Sequence, residues 1–255
     1  MKKHFTIFFL LIFISAVSAQ NEQFLKRELI FQGDTLPYRI LFPENYDTSQ
    51  SYPLVLFLHG AGERGNDNQI QLIHGSALFL NQANRLKFPA IVIYPQCPKN
   101  KYWAPIESRE NGFSYVNTKK PTEPMQLVIR LIKHIEKNEA VDHRRMYVLG
   151  LSMGGMGTFD LVCRYPRLFA AAVPICGGVL VDRLKKIKKL PVRIYHGSED
   201  TVVSPEHSKN AYIELKANGS QDVELIIIPG VGHDSWNLAF KQEDFLSWIF
   251  SNKKR

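Results

Sequence analysis

The sequence predicts an α/β fold, with a mainly parallel sheet covered by helices on both faces. Two observations carry this. Short apolar runs with strand character alternate along the chain with segments of helical character, and that alternation implies a parallel sheet between helices. One glycine-bounded turn, Gly150-Leu151-Ser152-Met153-Gly154, stands between such a run and a helix-like stretch.

The elements follow in order. Residues 26–32 and 36–42 read as an antiparallel pair around Gly33-Asp34, at the sheet edge. Residues 54–58 and 90–94 are short buried strands, and Gln69 to Asn81 between them is weakly helical. Residues 95–121 form a long polar and aromatic connection, of a length that is usually functional or mobile. Thr122 can cap the next helix, in which Leu127, Leu131, Ile132 and Ile135 share one apolar face. Strands are expected at 146–150, 170–175, 192–196 and 223–228. Met156 to Tyr165 supplies a helix that Pro166 limits. Ser204-Pro205 starts the helix Glu206 to Ala217, Asn218-Gly219 stops it, and Glu243 to Phe250 closes the chain.

The first nineteen of the 255 residues are a separate object. Lys2, Lys3 and His4 precede an apolar stretch, and Ser15-Ala16-Val17-Ser18-Ala19 ends in small residues. This is a secretory signal peptide with cleavage expected after Ala19, which implies a secreted or periplasmic protein. Its apolar run is shorter than a bilayer span, so no stable membrane insertion is expected after cleavage. Residues 20–255 then form a single catalytic domain, without repeats or linkers. The formal charge of +8 lies partly in Lys185-Lys186, Lys188-Lys189 and Lys253-Lys254-Arg255. These read as solvated faces and a tail, and no nucleic-acid motif accompanies them. Of Cys97, Cys163 and Cys176, an exported chain could pair two in a disulfide and leave one thiol; Cys163 and Cys176 read rather as buried apolar residues. No pair of them has metal-ligand spacing, and neither metal nor cofactor is called for.

The chemistry resides in four turns. Ser152 sits where a strand, Met146-Tyr147-Val148-Leu149, meets a helix, a position that exposes its hydroxyl above the sheet. Asp200 follows the run 192–196, with Glu199 and Asp182 as rival acids. His233 follows the run 225–228 in a glycine-bounded loop. A serine hydroxyl needs an imidazole to take its proton, and the imidazole needs a carboxylate to fix its tautomer. His59-Gly60-Ala61-Gly62, after the strand 54–58, offers one backbone N–H of an oxyanion hole. Ala61 is the first choice and Gly62 the alternative, and Met153 supplies the second N–H. Glu63 and Arg64 can form an ion pair holding this turn. Trp103 and Trp236 are candidate substrate-binding walls, with Tyr102 beside them. His59 and His196 read as turn and supporting residues. His74, His134, His143 and His207 read as ordinary positions.

LHGAGERG, YPQCP, GLSMGG, HGSEDTVVSP and GVGHDSW together resemble the α/β-hydrolase superfamily. Within it the chain is similar to secreted bacterial carboxylesterases of the feruloyl-esterase and polyhydroxybutyrate-depolymerase-like group. Their relatives are often labelled predicted peptidases or dienelactone-hydrolase-like. The resemblance covers residues 35–252. It implies an α/β-hydrolase fold and a serine carboxylesterase acting on an ester substrate, including carbohydrate-linked esters with short or aromatic acyl groups. The short segment before Pro191 leaves room for only a minimal lid, hence an open groove. The alternatives are a serine peptidase of the prolyl-oligopeptidase-like type, a phospholipase/carboxylesterase, and a glycan-binding module without catalysis.

Overall fold

The computed structural model describes residues 22–109 and 112–254. The expected signal peptide, residues 1–19, lies outside them. Eight strands form one sheet in the order β1-β2-β4-β3-β7-β8-β9-β10. They are β1 (Leu25–Phe31), β2 (Asp34–Leu41), β3 (Tyr52–Leu58), β4 (Ile91–Pro95), β7 (Val141–Leu151), β8 (Ala171–Ile175), β9 (Val192–Gly197) and β10 (Val223–Ile228). β1 and β2 pair antiparallel through a turn at Gln32-Gly33, and β2 pairs antiparallel with β4. Every other pairing in the sheet is parallel.

The helices are α1 (Ser76–Leu80), α2 (Gln82–Lys87), α3 (Glu123–Asn138), α4 (Met153–Arg164), α5 (Glu206–Ala217), α6 (Trp236–Ala239) and α7 (Phe245–Ser251). The period of two along β3 divides the core. Leu54, Leu56 and Leu58 face a cluster that includes Leu131 and Ile135 of α3, Phe159 and Val162 of α4, and Leu215 of α5. Val55 and Phe57 face the opposite cluster, with Phe79 and Leu80 of α1 and Phe245 and Ile249 of α7. Both faces of the sheet are therefore covered, which is why its central strands are apolar throughout. Thr122 caps α3 as expected: its Oγ1 accepts the N–H of Met125 at 3.3 Å.

Three expectations change. The Gln69–Asn81 segment is a 3₁₀ turn, Ile70–Leu72, followed by α1, and the short helix α2 follows it unforeseen. β7 begins five residues before 146, because Tyr52 pairs with Val141 beyond an irregularity in the β3 register. Part of the 95–121 connection is an antiparallel hairpin, β5 (Ile106–Arg109) with β6 (Gly112–Tyr115). Ile106, Phe113 and Tyr115 pack there against Ala104, Met156 and Val203 in a third, small apolar cluster. Between β8 and β9 stands only a 3₁₀ segment, Val181–Ile187, so no large lid enters at that point. Among the described residues no helix is long and apolar enough to cross a membrane.

The tightest packing lies at the turn from β7 to α4. A Cβ on Gly154 would sit 1.9 Å from the carbonyl oxygen of Leu58, and one on Gly150 would sit 2.3 Å from the carbonyl oxygen of Gly154. These neighbours are backbone and cannot swing away. Gly154→Ala is therefore expected to abolish or severely destabilise the native fold, whereas Gly62→Ala, which meets nothing within 4 Å, leaves it nearly unchanged. Thermal unfolding followed by circular dichroism compares the two; equal melting temperatures would contradict this reading.

Candidate active site

Ser152, Asp200 and His233 follow the carboxyl ends of β7, β9 and β10. The sheet order therefore brings residues from distant parts of the chain to one edge. Ser152 occupies the turn with φ 52° and ψ −117°, left-handed backbone unusual for a residue with a side chain. Its amide donates to the Ile175 carbonyl at 2.9 Å, and its own carbonyl accepts the N–H of Met156 at 3.0 Å. Its hydroxyl lies 2.8 Å from His233 Nε2.

Hydrogen bonding fixes the tautomers. His233 Nδ1 is 2.8 Å from Asp200 Oδ2, an acceptor, so Nδ1 carries the proton and Nε2 is free to receive one from Ser152. His196 Nε2 also faces acceptors, Asp200 Oδ2 at 3.1 Å and the Val203 carbonyl at 2.8 Å. It is therefore protonated there, and Nδ1 accepts the hydroxyl of Ser208 at 2.6 Å. Asp200 Oδ1 accepts the backbone N–H groups of Val202 and Val203, each at 2.9 Å. Burial alone would raise the pKa of this carboxyl. The hydrogen bond from His233 and the two backbone donors outweigh it and hold Asp200 below the usual aspartate range. The rivals Glu199 and Asp182 are exposed.

The His59–Gly65 turn is held from behind. Cys97 N–H donates to His59 Nε2 at 2.9 Å, so the imidazole proton is on Nδ1, which donates to the Gly60 carbonyl at 2.6 Å. Burial pushes His59 down to about 4, so it stays neutral at neutral pH. Gly65 N–H donates to the Cys97 carbonyl at 2.9 Å. Ala61 opens a 3₁₀ turn, Ala61–Glu63, and Met153 opens α4, so neither N–H has an acceptor within its own helix. A Cβ on Gly60 would lie 3.7 Å from Ser152 Cβ, which sets the two turns side by side.

Several side chains differ from expectation. Trp103 does not line a wall. It is fully buried, its indole N–H donates to the His59 carbonyl at 3.1 Å, and Gly157 packs against its Cβ. Trp236 is half-buried, with its ring edge-on to His233 at 5.5 Å between centroids. Glu63 and Arg64 do not pair. Arg64 Nε donates to the Ala61 carbonyl at 2.8 Å and its guanidinium lies over Tyr102, while Glu63 is buried 3.7 Å from His74. His74 in turn touches Trp236. Two neighbours were missed: Phe113, which stacks on His207, and Tyr115, which meets the same ring edge-on. The alternation Phe113-Ser114-Tyr115 after Gly112 was the sequence signal available for the second strand of that hairpin.

Cys97, Cys163 and Cys176 are free and buried, each thiol pushed up to about 12 by burial. Cys176, Asp200 and His233 place donor atoms within 4.8 Å of one another. The His233–Asp200 hydrogen bond already uses the inner ring nitrogen, and the thiol is held neutral. The donor set therefore fits a hydrogen-bonded triad better than a metal centre.

The buried neutral imidazole of His59 has a consequence for stability. Its folded pKa lies below the ordinary value of 6.5, so between pH 6.5 and about 4 the unfolded chain binds the extra proton and the folded chain does not. Stability should fall as pH drops through that window. Urea unfolding at pH 7, 5.5 and 4.5 should show a shallower decline for His59→Gln than for the native chain; parallel declines would exclude His59 as a source.

The family model described as Phospholipase/Carboxylesterase matches residues 46–248. A probable feruloyl esterase C of Aspergillus oryzae is 25% identical over 207 residues, covering 80% of this chain and 70% of the relative. Carboxylesterase SOBER1 of Arabidopsis thaliana is 27% identical over 206 residues, 76% of this chain and 88% of the relative. A solved thermostable esterase superposes with TM-score 0.85 at 32% identity over 92% of this chain. The chain spans 64% of that esterase's length. With an eight-stranded α/β-hydrolase sheet and a match over most of its length, the chain belongs to the phospholipase/carboxylesterase family of hydrolases.

Proposed function

We propose that this chain is an exported serine carboxylesterase that hydrolyses short or aromatic acyl esters, including esters borne on plant polysaccharides. The carrying observation is the relay Ser152 Oγ, His233 Nε2, His233 Nδ1, Asp200 Oδ2, with both hydrogen bonds at 2.8 Å. Ser152 Oγ attacks the ester carbonyl carbon and its proton passes to His233 Nε2. The imidazolium is stabilised by the Asp200 carboxylate, which stays ionised. The N–H groups of Met153 and Ala61 receive the developing oxyanion. Collapse expels the alcohol, which takes the proton from His233. Water then repeats the sequence on the acyl-enzyme and frees the acid and Ser152.

The substrate class is supported by the walls beside the triad. Trp236 flanks His233 on one side. Half-buried Phe113, Tyr115 and Ile106 form a second apolar surface beside Met156 and the Asp200 loop. Flat rings suit such walls, and among the described residues no large insertion after β8 is available to bury a long chain. Each CH₂ left in water forgoes roughly 0.8 kcal/mol. The feruloyl esterase relative and the export signal read in residues 1–19 support the same class.

Ser152→Ala should lower kcat by on the order of 10⁴-fold with the fold intact. Asp200→Asn should also be crippled, and Asp182→Asn should be near normal. Native turnover in the serine variant, or damage confined to Asp182→Asn, would dismiss the assignment. With the purified mature protein, kcat/KM should be highest for acetyl, butyryl and feruloyl esters and should not climb through palmitoyl esters. Peptide anilides in the same panel test the peptidase alternative.

A further inference from the structure

At the sheet end opposite the triad, a groove of about 990 Å³ opens among the turns that precede β8, β9 and β10 and the residues after α7. β9 alone has six residues, about 3.3 Å each, so the length of a strand separates this groove from the Asp200 loop. A ligand there leaves Ser152 open.

The lining is strongly one-signed. Among the described residues, Arg167, Lys188, Lys189 and Lys253 are exposed in it and join no ion pair, and Asp222 is the one acidic side chain of the lining. Lys253 also lies in the field of Asp142, outside the groove. Lys254 is already committed, its Nζ donating to the Leu168 carbonyl at 2.9 Å and the Arg167 carbonyl at 3.3 Å, which ties the chain's end to the groove wall. Gln221 adds a neutral amide. The apolar residues Phe169 and Leu190 are buried, and no exposed large apolar side chain lies in the lining.

We infer that this groove binds an acidic polysaccharide, its carboxylates met by the four cations and its hydroxyls by Gln221. Converging charge in a concave site concentrates an anionic polymer. An anionic lipid surface is flat and meets only charges at a rim, and the lining adds no exposed large apolar side chain to insert, so a concave site favours a flexible polymer that can enter it. A single-stranded nucleic acid would require exposed aromatic rings for stacking, and Phe169 is shielded. Binding here would hold the enzyme on a polymer while the opposite end stays free to act on esters.

The test is affinity electrophoresis of the full mature chain in polygalacturonate gels at low salt and at about 0.3 M NaCl, where charge contacts are screened. Neutral xylan gels serve as the comparison. Lys188→Gln/Lys189→Gln/Lys253→Gln should weaken retention by about tenfold at low salt. Lys119→Gln/Lys133→Gln/Lys137→Gln, which removes the same charge elsewhere, should change it less than about twofold. Hydrolysis of a small soluble ester should be unchanged in both, so retention is read independently of the triad assignment. Equal loss in both variants would reduce the effect to net charge and overturn the inference. So would absence of retention in the native chain, or stronger competition by anionic vesicles or an oligonucleotide than by free polygalacturonate.

Discussion

The approach of Gly154 to the carbonyl of Leu58 is the constraint on which the site's geometry rests. It lets the first turn of α4 press against the carboxyl end of β3. Only then do the Ser152 turn and the His59–Gly65 turn stand side by side. Ser152 is held in a backbone conformation that costs on the order of 1–3 kcal/mol. The hydrogen bonds to Ile175 and Met156 and the packing of three glycines, 150, 154 and 155, offset it. Those glycines meet backbone atoms, so a side chain at any of them would force the strained turn away from β3 or β8.

Electrostatics is arranged on the same principle of supplying partners in advance. Asp200 is buried, which on its own would favour the neutral acid, yet it accepts from two backbone N–H groups and two imidazoles. These donors come from its own loop, from β9 and from the loop after β10. The carboxylate therefore serves two ends: it fixes the proton on His233 Nδ1, and it ties three segments together at one point. His196 is drawn into the second task by the Ser208 hydroxyl on α5, so the acid loop is braced against a helix as well as a strand.

The juxtaposition of Ser152, Asp200 and His233 was legible because each follows a strand and lies in a turn bounded by glycine or acid residues, all local features. The family match, the parallel sheet and the uncapped segment after β8 follow from the same reading. What could not be read depended on side-chain direction across long separations. Trp103 lies in a polar stretch, and nothing near it signals that Gly157, in another element, leaves the space its ring fills. Glu63 and Arg64 are adjacent, and adjacent residues on a helical turn point apart, so their charges found His74 and Tyr102 instead. The helix α2 was hidden because Asn81, read as an end, is the residue whose side chain accepts the Asn84 N–H and starts the next turn.

The hairpin of β5 and β6 alters the meaning of an open groove. A cap inserted after β8 would lie over Ser152 and could cover a bound chain along its length. This insertion instead enters after β4 and packs sideways on Met156 of α4 and Val203 of the loop that follows Asp200. It adds apolar surface at the rim without closing the top. Under the proposed function, a flat ring held at the rim would gain contact on one face, whereas each further methylene of a fatty chain would extend into water. Under the proposed function, discrimination between esters would therefore be set less by Ser152, Asp200 and His233 than by where the chain places its extra aromatic residues.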